Sequence, residues 1–321
     1  MVFTKAEHFL HVRIKMRVIF MGTPSYATTI LKALIHSSGI EVPLLVTQED
    51  KPVGRKQTLT PPDTKAWAIQ EGVEIEVYQP KSLRTEEAYA KISAYKPDFI
   101  VVAAYGKLLP KSILEIAPCI NLHASLLPKY RGASPIQSTL LEGETYAGVT
   151  SMLMEEGLDT GAMLGFSYHL IDEKETSKEL FDVLAHHAAS LTLLTLKHFS
   201  TLSPLKQQEM HATHCKKIKK EDGEVSFEND ARYLMQKFRA LTPWPGVFLD
   251  SGLKLIEISI ADEDTLYDEA GIITAISKEG IVVTCKKGAL VLKQLQPSSK
   301  NAMNATDYIR GKRLECGDRL A

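Results

Sequence analysis

Cysteine is scarce in this sequence, and its placement argues against a disulfide-stabilised fold. The chain of 321 residues has four cysteines, scattered without paired spacing. This usage fits the reducing environment of the cytoplasm, where we expect the protein to act. Long apolar runs are also missing, because none reaches the roughly 18–20 residues that a membrane-spanning helix needs. The sequence therefore predicts no membrane association.

An excess of charge of either sign is missing as well. The formal net charge is −1, which excludes a uniformly basic protein of the histone type. It does not exclude a nucleic-acid partner, because a local basic surface is enough to bind phosphates. Any such partner must therefore be recognised by clustered cations.

Two further absences concern cofactors and nucleophiles. Only Gly22 stands in the first glycine turn, FMGTPSYA at residues 20–27, so the G-x-G-x-x-G pattern of a dinucleotide-binding turn is missing. This turn can hold a phosphate at a helix N-terminus or simply connect a strand to a helix, and a single glycine favours the simple connection. No serine or cysteine occupies a strained strand-to-helix elbow, which argues against a covalent acyl-enzyme.

Strand-like and helix-like segments alternate over the first two thirds of the chain. Residues 16–22 and 98–106 are apolar and β-rich, and residues 174–200 have the apolar periodicity of one long helix. This alternation predicts an α/β architecture in which helices cover a parallel sheet. Beyond Gly246 the apolar runs are short and separated by turns, which predicts a second, mostly β domain.

These patterns divide the chain into four segments. We place an N-terminal extension at 1–15, an α/β domain at 16–203, a linker at 204–222 and a C-terminal β domain at 223–321. The linker has almost no large apolar residues. The extension precedes the first clear strand, so it is interpreted either as a dispensable segment upstream of the fold or as a short extra strand or tail.

One stretch, INLHASLLPKYRGASPIQ at residues 120–137, ends a strand abruptly. Asn121 and His123 are two positions apart, so on a strand both side chains point to the same face. At the carboxyl end of a parallel strand, that face opens on the crevice in which α/β folds hold ligands. A lone histidine is often a buried residue bonded to a carbonyl, but the LLPKYRG that follows breaks regular structure and favours a loop around a ligand.

A carboxylate is expected to join these two side chains. The loop EEGLDTG at residues 155–161 follows the next strand and carries Asp159. Because neighbouring parallel strands end side by side, we expect Asp159 to meet His123. An imidazole and a carboxylate can move protons, and the amide of Asn121 can donate a hydrogen bond to a developing oxyanion. The set predicts acyl transfer between two bound substrates.

We expect no metal ion at the places where histidines occur. His123 and Asp159 lack a third ligand, and amides bind metals weakly. His211, His214 and Cys215 form only a loose cluster in the predicted linker.

A long polar loop, EDKPVGRKQTLTPPD at residues 49–63, follows the second predicted strand. Loops of this length in compact α/β domains are usually functional or mobile. The loop carries Lys51, Arg55 and Lys56, which can contact a phosphate backbone. A solvated surface loop explains the same composition equally well.

The stretch NLHASLLPKYRGASPIQ resembles the signature of the folate-dependent formyltransferases, and MEEGLDTGAML matches the same family. The resemblance implies that Asn121, His123 and Asp159 are the catalytic set. It also implies that one turn contacts the folate, and its residues are Ser125, Leu126, Leu127 and Pro128. It extends over about residues 16–315 and implies a Rossmann-like domain followed by a smaller, OB-like β-barrel domain.

The second domain, with KKIKKEDGEVSF and FRALTPWPGVF, resembles that of the family members that act on methionyl-tRNA. The loop at 49–63 resembles their tRNA-acceptor loop, with Arg55 at the matching arginine and Lys51 and Lys56 beside it. The resemblance implies transfer of the formyl group of 10-formyltetrahydrofolate to the α-amino group of initiator methionyl-tRNA, with tetrahydrofolate as product. It implies no metal and no stable protein partner.

Two alternatives stay open. An amino-sugar formyltransferase also carries the PWPG element but lacks the long basic loop, so formyl transfer to an amino-sugar nucleotide is one of them. The other is a non-catalytic tRNA-binding module on the same fold, against which the intact Asn121, His123 and Asp159 argue.

Overall fold

The computed structural model of the chain describes residues 15–54 and 56–320. Residues 1–14 of the predicted extension and Arg55 of the basic loop lie outside the described residues, so the predictions for them are untested. The chain divides into two compact units, each built from several segments. The first comprises the residues up to His123, Val149–Ser167 and Ala185–Gln207, and the second comprises Ala124–Gly148, Tyr168–Leu184 and the residues from Gln208 onward.

The strands and α-helices are numbered in chain order. The strands are β1 (Met16–Gly22), β2 (Ile40–Val46), β3 (Lys51–Val53), β4 (Thr58–Thr60), β5 (Glu76–Tyr78), β6 (Phe99–Ala103), β7 (Cys119–His123), β8 (Arg131–Gly132), β9 (Tyr146–Leu153), β10 (Met163–Leu170), β11 (His214–Cys215), β12 (Val247–Phe248), β13 (Lys254–Leu266), β14 (Ile273–Ser277), β15 (Gly280–Thr284), β16 (Lys287–Gln296) and β17 (Met303–Asn304). The helices are α1 (Ser25–Ile35), α2 (Asp63–Gln70), α3 (Glu86–Ser93), α4 (Lys111–Leu114), α5 (Pro135–Leu141), α6 (Ser177–His198), α7 (Ala231–Leu241) and α8 (Ala305–Lys312).

A seven-stranded sheet in the order β10-β9-β7-β6-β1-β2-β5 forms the frame of the first unit. Strand β1 pairs in parallel with β2 and β6, and the parallel pairing continues from β2 to β5 and from β6 to β7. Helix α1 packs against β1, β2 and β6. The predicted Rossmann-like architecture with a parallel sheet is therefore confirmed.

Strand β6 shows why an uninterrupted apolar run predicts a central strand. All five residues of its sequence FIVVA are buried, because both faces of the sheet are covered. On one face, Ile100 and Val102 join a core that includes Ile19 from β1, Leu44 from β2 and Ile92 from α3. Removing this apolar area from water stabilises the sheet by about 25 cal/mol per Å².

The direction of strand β9 differs from the prediction. Strand β9 pairs with β7 antiparallel, with Ile120 opposite Leu153 and His123 opposite Thr150. The carboxyl ends of β7 and β9 therefore lie at opposite edges, and the expectation that they end side by side was wrong. A parallel neighbour needs a helix that crosses back over the sheet, whereas helix α5 of this connection packs on α7 within the second unit.

An antiparallel sheet dominates the second unit. The long strands β13 and β16 pair with each other, β15 and β14 follow beyond β16, and β12 pairs with β13. Helix α7 packs on β13 and β16, and its buried side includes Leu234, Phe238 and Leu241. The predicted mostly β character of the C-terminal domain is confirmed.

The segment 204–222, predicted to be a linker, forms short regular structure. It contains 3-10 turns at Glu209–His211 and Lys220–Gly223, and it contains strand β11. Strand β11 pairs in parallel with β8. The segment has few large apolar residues and is held by main-chain and polar hydrogen bonds. Its limits as a boundary between domains stay a prediction.

Candidate active site

Strand β7 holds Asn121 and His123 side by side on one face of the sheet. The strand is buried along its whole length, and the two side chains point the same way because strand residues alternate between faces. Between them, the carbonyl of Leu122 accepts a hydrogen bond of 3.4 Å from the hydroxyl of Tyr26. Burial raises the pKa of the Tyr26 hydroxyl, which keeps it a neutral donor. Helix α1 therefore supports the middle of the site strand.

Asp159 meets both of these side chains. The amide nitrogen of Asn121 donates to Oδ1 of Asp159 at 3.4 Å, and Nδ1 of His123 lies 3.7 Å from Oδ2 of the same carboxylate. The His123 and Asp159 side chains are only 7% and 13% exposed. The structure thus brings the predicted set together, although not by the predicted route. The loop after β9 folds back towards the middle of β7 to deliver the carboxylate.

The conformation of this loop depends on a close main-chain approach. A Cβ atom on Gly161 would lie 1.8 Å from the carbonyl oxygen of Leu153, so only glycine fits there. The amide of Leu153 donates in turn to the carbonyl of Ala162 at 2.8 Å. Asp159 itself has a φ angle of 54°, a left-handed conformation that aspartate tolerates better than most residues.

The three side chains form a set suited to acyl transfer. Asn121 presents N–H donors, His123 presents ring nitrogens, and Asp159 presents a negative charge beside the ring. The three side chains are largely buried, so electrostatic interactions among them are stronger than at the surface. The carboxylate is placed to stabilise positive charge that develops on the imidazole during a proton transfer.

The predicted folate-contacting turn follows β7 directly along the chain and belongs to the second unit. Ser125 and Leu127 are buried, and the Ser125 hydroxyl donates to the carbonyl of Lys129 at 2.6 Å. Leu126 and Pro128 are partly exposed. The buried pair shapes the turn, so the partly exposed pair is better placed to contact a ligand.

Arg131 was not singled out from the sequence, yet it is among the most buried side chains of the second unit. It is 2% exposed, and its guanidinium donates to both carboxylate oxygens of Glu209 at 3.0 and 2.8 Å. Thr213 adds two bonds, because its carbonyl accepts from the amide of Arg131 and its hydroxyl accepts from the amide of Tyr130, each at 2.9 Å. Nothing in the sequence distinguishes Arg131 from an exposed arginine in a surface turn.

The basic loop forms an exposed hairpin. Strands β3 and β4 pair antiparallel, with Lys51 at the start of β3 and Lys56 in the turn, both exposed. The Lys51 ammonium donates to Oε1 of Gln48 at 2.5 Å. Arg55 lies outside the described residues. The role of Lys51, Arg55 and Lys56 in binding tRNA therefore stays a prediction.

A polar network holds the base of this hairpin. The ammonium of Lys65 contacts both carboxylate oxygens of Asp50 at 2.8 and 2.9 Å, and the amide nitrogen of Gln79 donates to Asp50 at 2.8 Å. The hydrogen bonds from Gln79 and Lys65 lower the pKa of Asp50 below its usual value. Because the hairpin follows β2, it leaves the sheet at the edge where the parallel strands end.

The described residues contain neither a metal-binding cluster nor a membrane-spanning helix. In the described part of the chain, histidine, cysteine, aspartate and glutamate side chains form no group of three able to hold a metal ion. The Cys215 thiol instead lies 3.4 Å from the carbonyl oxygens of Tyr130 and Arg131. Among residues 15–54 and 56–320, no helix is both long enough and apolar enough to span a membrane.

Two family models match the chain. The model described as formyl transferase matches residues 15–196, and the model of the formyl transferase C-terminal domain matches residues 217–313. A methionyl-tRNA formyltransferase from Nitratiruptor sp. is 52% identical over 303 residues, covering 94% of this chain and 99% of the relative. One from Campylobacter curvus is 54% identical over 306 residues, covering 95% of this chain and 100% of the relative.

Solved structures share the fold at low sequence identity. An N-formyltransferase from Helicobacter canadensis, in complex with folinic acid and dTDP-3-aminofucose, matches with a TM-score of 0.63 and 15% identity over 86% of this chain and 98% of that one. HypX from Aquifex aeolicus, in complex with tetrahydrofolic acid, matches with a TM-score of 0.60 and 16% identity over 92% of this chain and 47% of that one.

Substitution of Gly161 by alanine tests the close approach in the site loop. Gly161→Ala is expected to lower the free energy of unfolding by about 1–3 kcal/mol, the usual cost of overpacking, because the added Cβ would clash with Leu153. Gly311→Ala is the control. Gly311 lies in α8, and a Cβ atom added there would meet nothing within 4 Å. Alanine in a helix is favoured by up to about 1 kcal/mol. Urea unfolding of both variants measures the difference. A free energy of unfolding that is unchanged in Gly161→Ala would contradict the geometry.

Proposed function

The chain belongs to the formyltransferase family, and from this premise we propose that it formylates the α-amino group of initiator methionyl-tRNA for the start of translation. The observation that carries the proposal is that relatives named for this activity are 52% and 54% identical over nearly their whole length. The convergence of Asn121, His123 and Asp159 supports it, because an amide, an imidazole and a carboxylate suit acyl transfer. Its place of action is the cytoplasm, where translation occurs.

The proposed domain organisation is the one that the sequence patterns predict. A formyltransferase domain spans 16–203 and an OB-like tRNA-binding domain spans 223–321, joined by residues 204–222. The family models match 15–196 and 217–313, which supports the division into two domains.

The proposed reaction transfers a formyl group between two nitrogen atoms. The amine nitrogen of methionyl-tRNA bonds to the formyl carbon, the bond from that carbon to the folate nitrogen breaks, and the amine proton passes to the folate nitrogen. An α-amine has a pKa near 8, so the site must receive or produce its neutral form. His123 and Asp159 manage this proton, and Asn121 donates a hydrogen bond to the formyl oxygen as it becomes an oxyanion.

The co-substrate proposed is 10-formyltetrahydrofolate. A fold relative, HypX, was solved in complex with tetrahydrofolic acid, which supports a folate on this fold. The proposed contacts come from the turn Ser125, Leu126, Leu127 and Pro128, in which the buried Ser125 and Leu127 set the shape. Apolar contact from Leu126 and Pro128 suits the flat ring system of a folate.

The β3–β4 hairpin is proposed to bind the acceptor end of the tRNA. Lys51 and Lys56 are exposed on it, and Arg55 lies between them in the sequence. Cations on a protruding hairpin can reach phosphates, and the network around Asp50 fixes the base from which the hairpin projects.

One experiment separates the candidate functions. The protein is incubated with 10-formyltetrahydrofolate and either charged initiator methionyl-tRNA or a dTDP-linked amino sugar, and formyl transfer is followed. We expect transfer to methionyl-tRNA. Transfer to the amino sugar alone would favour formylation of an amino-sugar nucleotide, the class of compound with which the Helicobacter N-formyltransferase was solved in complex. Binding of tRNA without any transfer would favour a non-catalytic binding module.

Removal of each member of the site set tests its role. Asp159→Asn, His123→Ala and Asn121→Ala are each expected to lower kcat by at least about two orders of magnitude, the range of proton-transfer and oxyanion contributions. Binding of both substrates should change by only a few-fold, because none of the three is a proposed binding anchor. His36→Ala, at an exposed position of the first unit, is the matched control and should retain activity. Normal turnover in a folded variant would remove that residue from the mechanism.

Arg55→Ala tests the role of the hairpin. We expect a higher KM for charged tRNA or a lower kcat, with folate binding nearly unchanged, because the hairpin is proposed to contact the acceptor end alone. Arg84→Ala removes an exposed arginine elsewhere in the first unit and serves as the control. Weak folate binding with normal tRNA binding in Arg55→Ala would contradict this placement.

A further inference from the structure

A buried glutamine lies in the segment that we predicted to be a linker. Gln207 is 4% exposed, whereas its neighbours in sequence on both sides are exposed. Its side-chain nitrogen donates to the carbonyl of Asp159 at 2.8 Å and to the carbonyl of Gly161 at 2.8 Å. Both N–H groups of one amide therefore bind the main chain of the loop that carries the site carboxylate.

The loop that Gln207 binds has an irregular conformation. Residues 155–158 are exposed and have no regular secondary structure. Asp159 follows them in a left-handed conformation, with a φ angle of 54°. A residue in this conformation persists when surrounding contacts hold it. The two carbonyls that Gln207 binds lie at Asp159 itself and two residues later, so they fix the peptide planes that set the direction of the carboxylate.

Gln207 is itself anchored to the sheet. Two residues before it, Leu205 exchanges both main-chain hydrogen bonds with Met163 at the start of β10, each at 2.8 Å. This pairing fixes the position of the Gln207 main chain beside the loop. The arrangement joins β10, Gln207 and the loop within the first unit.

We propose that Gln207 is a positioning residue that holds Asp159 against His123 and Asn121. The proposal rests on the proposed function, in which the Asp159 carboxylate acts on the proton and on the imidazole. The side chain suits the task, because a primary amide has two N–H donors and no charge. Leucine has a similar size but no donor, and glutamate has acceptor oxygens where the carbonyls require donors.

The chain offers a matched pair of variants for the test. Gln207→Leu removes the two hydrogen bonds, and Gln208→Leu makes the same chemical change at the adjacent exposed position. For Gln207→Leu we expect kcat for formyl transfer to fall about 10- to 100-fold, since displacement of a catalytic group by about 1 Å can cost 10²-fold. KM for both substrates should change by only a few-fold. Gln208→Leu should keep kcat within about twofold of the wild type, the scale on which a change of a few tenths of a kcal/mol registers.

Combination with Asp159→Asn separates positioning from a general loss of structure. If Gln207 acts through Asp159, Gln207→Leu should cost little more in the Asp159→Asn background, because residues that act as a unit have non-additive effects. An equal loss in both backgrounds, or an unchanged kcat in Gln207→Leu, would overturn the proposal. Should Gln207→Leu fail to fold, Gln207→Glu keeps the shape, loses the paired donors and is judged by the same outcomes.

Hydrogen exchange gives a result that does not depend on the identity of the substrate. The amides of residues 155–161 should exchange faster in Gln207→Leu than in Gln208→Leu. Faster exchange with no formyl transfer to methionyl-tRNA by the wild-type protein would refute the proposed function and leave the loop support in place. Unchanged exchange would overturn the loop support, even if the wild-type protein is active.

Discussion

The candidate site depends on one constraint: the carboxylate of Asp159 comes from an irregular loop and must be held against two side chains on a strand. Asn121 and His123 are fixed by a buried strand that parallel pairing with β6 places in the sheet. Strand β9 is antiparallel to β7 and ends beside its beginning. The chain after β9 must therefore turn back by its own local structure. The close approach at Gly161 and the left-handed Asp159 are features of that return.

The segment 204–222 supports the loops of the site through polar hydrogen bonds more than through apolar packing. Within the first unit, Gln207 binds two carbonyls of the Asp159 loop. Within the second unit, Glu209 pairs with the buried Arg131 of the turn after β7. Main-chain groups that are buried without partners cost free energy, so side chains that supply partners select one loop conformation. The segment 204–222 therefore stabilises these loops without forming a hydrophobic core of its own.

Much of the fold and the site set could be predicted from local sequence patterns. The buried run FIVVA and the two-residue spacing of Asn121 and His123 follow directly from strand geometry. The direction of β9 could not be predicted, because the apolar residues of its sequence suit a parallel and an antiparallel strand equally. Gln207 and Arg131 were missed for a related reason. A polar residue in a polar stretch predicts exposure, and only the folded chain shows which carbonyls and carboxylates surround it.

The single-turnover rate of formyl transfer by the double variant His123→Ala/Asp159→Asn tests the central claim most directly. If carboxylate and imidazole act as one unit, the double variant should be slower than the poorer single variant by only a small factor, far from the product of the two single losses. Their separation of 3.7 Å, with both side chains largely buried, is the basis of this expectation. A loss equal to the product, in protein with an unchanged melting temperature, would show that the two residues act independently and would contradict the account of the site.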